Sequence, residues 1–199
     1  CSVLYNKSPY LITLPFVKPL SKGSPMITNV RDITDELTLT AARTLLGAVK
    51  TAPHAKGVDI LEAAIISGDE LAALVTHMKA MGQAPGRAFF IRDASNIEQS
   101  PCVMLVGTHL KNQGLNCEHC GFATCGEKPD LYPCALNALD VGIALGSAAS
   151  RAADMRIDSR IMFSAGLAAQ ELGFLGENVH LVFALPLSIT AKSPYFDRG

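Results

Sequence analysis

The sequence predicts an α+β protein in which helices pack against a sheet as a sandwich. Segments with the spacing of amphipathic helices roughly alternate with short apolar segments that are partly β-branched. Hydrophobic residues make up 49% of the 199 residues and charged residues 18%, which is enough apolar material for a packed core. No internal repeat or low-complexity tract interrupts the alternation. A single sheet with helices around it accounts for this pattern.

The first 25 residues differ from the rest of the chain. They contain four of the 11 prolines and no acidic residue. Because proline fixes φ and lacks a backbone donor, we expect residues 1–25 to form an extended arm or an upstream extension, with Met26 as a candidate natural start. Residues 26–199 are then expected to form one domain.

The first predicted helix begins at Thr34 or Asp35 and ends near Lys50. Its apolar residues recur at helical spacing and form one face, which comprises Leu37, Ala41, Leu45 and Ala48. The segment Leu61–Ile66 is short and partly β-branched, which predicts a strand.

A second helix is predicted from a cap at Asp69 to about Met81, where Gly82 marks its end. The segment 88–91 is ambiguous between helix and strand. The continuous apolar run Cys102–Val106 predicts a strand that is buried on both faces.

The last third of the chain predicts two helices and a final strand. The helices span Ala138–Met155 and Ser164–Leu172, and the strand spans His180–Leu185, before Pro186. The first of these helices is rich in glycine, alanine and serine, which indicates close packing either against a partner subunit or within one subunit. The first alternative predicts a homodimer.

Charge and hydropathy exclude several classes of partner. A net charge of −1 and a pI of about 6.6 provide no strong positive field for nucleic acid or an anionic membrane. No apolar run reaches the roughly 18–20 residues that a membrane span needs. The first residues also lack the pattern of a secretory signal, so we predict a cytoplasmic protein.

Four of the six cysteines lie in one segment, residues 114–134. They are Cys117, Cys120, Cys125 and Cys134, with the spacing C-x2-C-x4-C-x8-C. In a chain without an export signal, such crowding indicates metal binding rather than disulfides. Four thiolates satisfy a 4Fe–4S cluster, and Gly121 and Gly126 allow tight turns beside the ligands.

The spacing leaves alternatives open. Four cysteines also make a closed tetrahedral zinc site, in which His119 could replace one thiolate. A further alternative is that the four are free or redox-active thiols. Cys134 precedes a helix whose N-terminus favours a thiolate, and Cys102 is the substitute candidate for the fourth ligand, although a buried strand cysteine is more often part of the core.

Basic residues elsewhere are candidates for binding an anionic cofactor. Arg43 and Lys56 could meet such a group beside the loop 51–57, and Lys192 and Arg198 could close a phosphate site near the C-terminus. The alternative is that these are ordinary solvated charges of a loop and a tail.

The stretch from Met26 to Arg198 resembles an uncharacterised prokaryotic family described as containing a ferredoxin domain. The similar pieces are Ala41–Thr44, Thr51–Asp59, the cysteine segment, Leu139–Ser147 and Lys192–Arg198. This resemblance implies a 4Fe–4S cluster on the four cysteines.

The order of segments also resembles the flavin-dependent nitroreductases. The shared order is a helix, Thr-Ala-Pro before a strand, a later helix of small residues, and a terminal strand with a basic tail. The resemblance implies a nitroreductase-like sandwich with the cysteine segment as an inserted loop, FMN and a homodimer. Those enzymes begin with a phosphate-binding motif rich in arginine and serine, where this sequence has only Arg31 and Arg43 nearby.

Three functions follow as hypotheses. The first is a 4Fe–4S electron-transfer or redox protein that passes electrons to a flavin, to a partner protein or to a small molecule. The second is a non-catalytic protein in which zinc or a cluster stabilises a loop. The third is an FMN-dependent NAD(P)H reductase.

Overall fold

The computed structural model describes residues 27–196, so the predicted arm, Met26 and Arg198 lie outside the described residues. The helices are α1 Val30–Lys50, α2 Asp69–Met81, α3 Phe89–Ile97, α4 Ala135–Asp154 and α5 Phe163–Glu171. The strands are β1 Leu61–Ile66, β2 Cys102–His109, β3 Asp158–Ser159 and β4 Val179–Ser188. A short 3-10 turn spans Ala55–Gly57.

The four strands form one antiparallel sheet in the order β1-β2-β4-β3. Helices α1 and α4 cover one face, and α2, α3 and α5 cover the other. In β2, Val103 and Leu105 face the second layer, whereas Met104 and Val106 face the first. The predicted α+β sandwich is confirmed, and so is a central strand buried on both faces.

The cap of the first helix lies five or six residues before the predicted one. The Asn29 side chain accepts a hydrogen bond from the backbone N–H of Arg31 at 3.0 Å, so Asn29 caps α1 in place of Thr34 or Asp35. The buried face is also rotated, because Leu37 is 40% exposed. The side chains that pack inward are Thr38, Ala41, Ala42, Leu45 and Val49.

Two other helix starts differ from the prediction. Gly68, at φ 61°, occupies the cap position of α2, and Asp69 is its first helical residue. The ambiguous segment 88–91 belongs to α3, whose buried residues Phe90, Ala94 and Ile97 recur at helical spacing. Helix α4 begins at Ala135, three residues before the predicted Ala138.

The last strand continues through Pro186 to Ser188, beyond its predicted end at Leu185. The N–H of Ala184 donates to Met162, so the backbone nitrogen of Pro186 points to the same edge. Pairing at that edge is interrupted between Ser159 and Met162. Proline's missing donor therefore removes no hydrogen bond of the ladder.

The small residues of α4 lie in two different environments. Ala144 and Ala148 are fully buried against α1, and the Ser147 hydroxyl donates to the carbonyl of Ala48 at 2.9 Å. Gly142 and Gly146 have open space where a Cβ would stand. Packing within the chain thus explains the alanines and the serine, and the homodimer stays a prediction.

None of the helices between residues 27 and 196 combines the length and the apolar composition that a membrane crossing needs.

Burial of Cys102 predicts a loss of stability at alkaline pH. Burial raises the pKa of its thiol from 9.0 to about 12, and the Asp35 carboxylate adds to the rise. Between these values the unfolded chain loses a proton that the native protein keeps. The contribution of this thiol to the free energy of unfolding should therefore be fully present below pH 9.0 and fall by about 1.4 kcal/mol per pH unit as pH rises toward 12.

Denaturant unfolding of the wild type and Cys102→Ala across pH 8 to 11 tests this expectation. The alanine variant has a constant offset from its lost side-chain packing, but its free energy of unfolding should decline less steeply above pH 9.0. Equal slopes for the two proteins would contradict the prediction.

Candidate metal centre

The four clustered cysteines lie in the loop that joins β2 to α4. All four carry free thiols. Cys117, Cys120 and Cys125 are partly buried, and Cys134 is only 5% exposed at the foot of α4. The loop therefore presents thiols at the surface and shelters one against the fold.

Left-handed backbone conformations turn the first half of this loop back on itself. Asn116, Glu118 and Gly121 have φ of 45°, 60° and 84°. The N–H of Gly121 donates to the carbonyl of Glu118 at 2.8 Å and closes a turn that contains Cys120. Cys117 directly precedes this turn, and Cys120 lies within it.

Two asparagines attach Cys125 to the start of the loop. The side-chain oxygen of Asn116 accepts from the Cys125 N–H at 2.8 Å, and the Asn116 N–H donates to Cys125 Sγ at 3.4 Å. The amide of Asn112 donates to the Cys125 carbonyl at 3.0 Å. An N–H···S hydrogen bond stabilises a thiolate and is one of the interactions that tune iron–sulfur centres.

A buried lysine organises the second half of the loop. Lys128 is only 4% exposed, and its ammonium group donates to the carbonyls of Pro129, at 3.1 Å, and Tyr132. The rings of Phe122 and Tyr132 meet edge to face with centroids 5.9 Å apart. These contacts fix the chain on the approach to Cys134.

Helix α4 begins directly after Cys134, which occupies the cap position without making a side-chain capping bond. Backbone N–H groups at a helix N-terminus favour a negative charge. A thiolate at this position would gain that stabilisation.

A buried polar network joins the loop to the rest of the fold. The Asn137 amide, fully buried on α4, donates to the carbonyls of His109 at 3.1 Å and Lys111 at 2.7 Å. Its oxygen accepts from the side chain of Gln113 at 2.9 Å. Lys56 donates to the Gln113 carbonyl at 3.0 Å, so the turn 55–57 is attached to the same point.

A carboxylate of α4 extends this network. Both oxygens of the buried Asp140 accept from the N–H of Ala55 at 3.1 Å. The sequence contains one indication of this network. Asn137 and Asp140 are polar residues on the buried face of α4, which also carries Val141, Ala144 and Ala148.

We expect Asn137→Ala to lower the free energy of unfolding by about 2–3 kcal/mol, because the buried Gln113 amide and the carbonyls of His109 and Lys111 lose their partner. Lys111→Ala is the matched control, since this exposed side chain can be removed while the backbone carbonyl stays in place. Denaturant unfolding measures both. A change below about 0.5 kcal/mol in Asn137→Ala, the range of ordinary surface substitutions, would contradict the role of this network.

The donor set consists of four thiols, which are ligands of both iron–sulfur clusters and structural zinc. In the part of the chain from 27 to 196, no three His, Cys, Asp or Glu side chains are grouped closely enough to hold one metal ion.

Cys102 belongs to the core. It lies in β2, fully buried with the α1 and α4 side chains, and the raised pKa of its thiol keeps it protonated at neutral pH. Metal binding requires a thiolate. These properties favour Cys134 over Cys102 as the fourth ligand.

The candidate cofactor-binding basic residues are distributed over the fold. Arg43 is exposed on α1, and the Lys56 ammonium is engaged by the Gln113 carbonyl. Lys56 lies near the His109 end of β2, whereas Lys192 follows β4 beyond the Cys102 end. Within the described part of one chain, Lys56 and Lys192 are therefore not brought together, and Arg198 lies outside it.

Comparison with known proteins identifies a relative that matches most of this chain and nearly all of its own length. The chain is 38% identical over 184 residues to an uncharacterized protein from Archaeoglobus fulgidus, and the match covers 87% of this chain and 98% of that protein. A family model described as an uncharacterized protein containing a ferredoxin domain matches residues 132–198, which include Cys134.

Solved structures with a similar fold include nitroreductases. A nitroreductase with bound FMN from Bacteroides fragilis aligns with a TM-score of 0.55 and 15% identity over 76% of this chain and 77% of that chain. Another with bound FMN, from Desulfitobacterium hafniense, aligns with a TM-score of 0.52 and 15% identity over 79% and 82%. These similarities confirm the predicted nitroreductase-like fold.

Proposed function

Because this chain belongs to the family of uncharacterized proteins that contain a ferredoxin domain, we propose that it is a redox protein that uses one 4Fe–4S cluster. The observation that carries the proposal is the arrangement of the loop 114–134. It holds four free thiols and supplies an N–H···S hydrogen bond to one of them.

Each part of the loop has a role in this proposal. Cys117, Cys120, Cys125 and Cys134 would hold the cluster, which would supply one-electron redox chemistry. Asn116 orients Cys125 through its side-chain oxygen and donates to the Sγ atom through its backbone. The buried network around Asn137 anchors the loop to α4 and β2, so that the ligands stay in place as the charge of the centre changes.

Structural zinc is the first alternative. It uses the same cysteines and gives no reducible chromophore. Structural zinc modules commonly contain two closely spaced cysteine pairs, whereas here only Cys117 and Cys120 form such a pair.

A flavin reductase is the second alternative, because the two similar nitroreductases contain FMN. The FMN phosphate needs a group of cations. The described residues of a single chain do not gather Arg43, Lys56 and Lys192 into such a group. We therefore derive no catalytic step through FMN.

We further propose that the protein is a homodimer of the cytoplasm, where reducing conditions keep such thiols free. Its redox partner would be an electron-carrier protein or a small molecule. Light scattering tests the dimer, and a monomeric mass at working concentration would contradict it.

Anaerobic purification followed by analysis of iron, acid-labile sulfide, zinc and flavin tests the main proposal. We expect about four irons and four sulfides per chain, with broad visible absorption that dithionite bleaches. Zinc in place of iron, without a chromophore, would overturn it in favour of a structural site. Stoichiometric FMN without iron would favour the flavin reductase.

A further inference from the structure

A cavity of about 330 Å³ lies beside the cysteine loop. Leu131 and Pro133 of the loop form one wall, and Phe163 and Leu167 of α5 form another. Pro133 directly precedes Cys134, so a molecule in this cavity would lie one residue away from a proposed cluster ligand. The volume is at the lower end of the range for ligand-binding pockets and suits a molecule of one or two rings.

The third wall is an irregular part of β4. Leu181 and Val182 together oppose the single residue Gly107 of β2, because the register shifts between Val106 and Thr108. Leu181 has φ of 51°, a left-handed conformation that is strained for a branched side chain. Such bulges redirect side chains and occur often beside functional sites.

Two further residues maintain the bulge. The side-chain oxygen of Gln170, on α5, accepts from the N–H of Val182 at 3.4 Å. At Gly107, a Cβ would stand 2.7 Å from Val179 Cγ1 and 2.9 Å from Val182 Cγ2, so only glycine fits opposite the bulge. The chain thus accommodates the strain with specific contacts, and both Leu181 and Gln170 line the cavity.

The chemistry of the lining defines the ligand. Apart from His180, none of the lining residues is ionisable. The polar side chains are His180 and Gln170, and the amide nitrogen of Gln170 remains a donor while its oxygen binds Val182. The rings of Phe163 and Phe183 provide flat apolar surfaces. A charged phosphate would find no lysine or arginine there, whereas an aromatic ring that carries a carbonyl oxygen would find both apolar contacts and donors.

We propose that this cavity binds an uncharged aromatic carbonyl compound of one or two rings, of the quinone class. Its position next to Cys134 makes it a site for a small-molecule redox partner, and this role rests on the proposed function. The binding itself rests only on the cavity.

Calorimetric titration of the anaerobically purified full-length protein with 2,3,5,6-tetramethyl-1,4-benzoquinone tests this. The four methyl groups block addition of thiols to the ring, and the protein is titrated without a reductant so that electron transfer to the quinone adds no heat of its own. We expect saturable binding with one site per chain, and no binding of 2,5-dimethylbenzenesulfonate, an anion of similar size. Absence of quinone binding, or equal binding of the sulfonate, would overturn the proposal.

Phe163→Ala should weaken quinone binding about tenfold, because one aromatic wall is lost. Leu139→Ala is the matched control: Leu139 is exposed like Phe163, at 57% against 54%, but lies outside the cavity. Equal affinities in the two variants would place the quinone elsewhere and overturn the assignment. Iron analysis of the same samples separates the two ideas, because binding by iron-free wild type would support the cavity while contradicting the cluster.

Discussion

Cys125→Ser is expected to remove the iron–sulfur centre while the fold persists. Cys125 contributes the thiol that is tied to Asn116, and its replacement leaves three of the four proposed ligands. Iron and acid-labile sulfide should fall from about four of each per chain to a small fraction, together with the visible absorption. Cys125 is partly buried in the loop and lies outside both core clusters, so circular dichroism should show unchanged secondary structure.

Cys102→Ala and Cys134→Ser complete this experiment. Cys102 is buried in the core and should be dispensable for iron, whereas Cys134→Ser should lose it as Cys125→Ser does. Retention of the full iron content and spectrum in Cys125→Ser would refute the ligand set. Loss of iron in Cys102→Ala, together with retention of iron in Cys134→Ser, would make Cys102 the fourth ligand in place of Cys134.

The second large effect is expected at Gly166, where α5 packs directly on the backbone of β4. An added Cβ would lie 2.0 Å from the Val182 carbonyl oxygen and 2.5 Å from the Phe183 Cα. Backbone atoms cannot move aside as a flexible side chain does, so the helix or the strand must shift. Gly166→Ala should therefore lower the free energy of unfolding by about 3 kcal/mol or more.

Gly142→Ala is a control with the opposite expected sign. Gly142 lies on the exposed side of α4, and no neighbouring side chain or strand comes within 4 Å of the position that a Cβ would take. Alanine therefore gains helix propensity without a clash, and the expected gain is up to about 1 kcal/mol. Denaturant unfolding measures both variants, and soluble yield serves for Gly166→Ala if too little folded protein is obtained. Similar stabilities in the two variants would contradict the close approach of α5 to β4.

Local patterns predicted the elements whose structure depends on local chemistry. The apolar runs of β1 and β2 were identified with the correct starts, because continuous burial in a sheet leaves a continuous apolar sequence. The cysteine segment was predicted as a loop and lies in one, between β2 and α4, and the turn around Cys120 follows from Gly121.

Other features depend on contacts between distant residues and left little local signal. Helix α3 is held by tertiary contacts, including the 2.6 Å hydrogen bond from the Ser164 hydroxyl to Asp93 of α3. Asp140 is 85 positions away from its partner Ala55 in sequence. The continuation of β4 through Pro186 could not be predicted without knowing where the pairing of its neighbour is interrupted. Only the three-dimensional pairing provides this information.

Lys128 places a buried positive charge inside the cysteine loop. Its ammonium group is buried among carbonyl oxygens and forms no ion pair with any carboxylate between residues 27 and 196. A buried positive charge lacking a counter-ion is costly, and its field favours negative charge nearby. A cluster with four thiolates is an anion that becomes more negative on reduction. If the loop binds the proposed cluster, Lys128 would therefore favour the reduced state and shift the midpoint potential of the cluster upward.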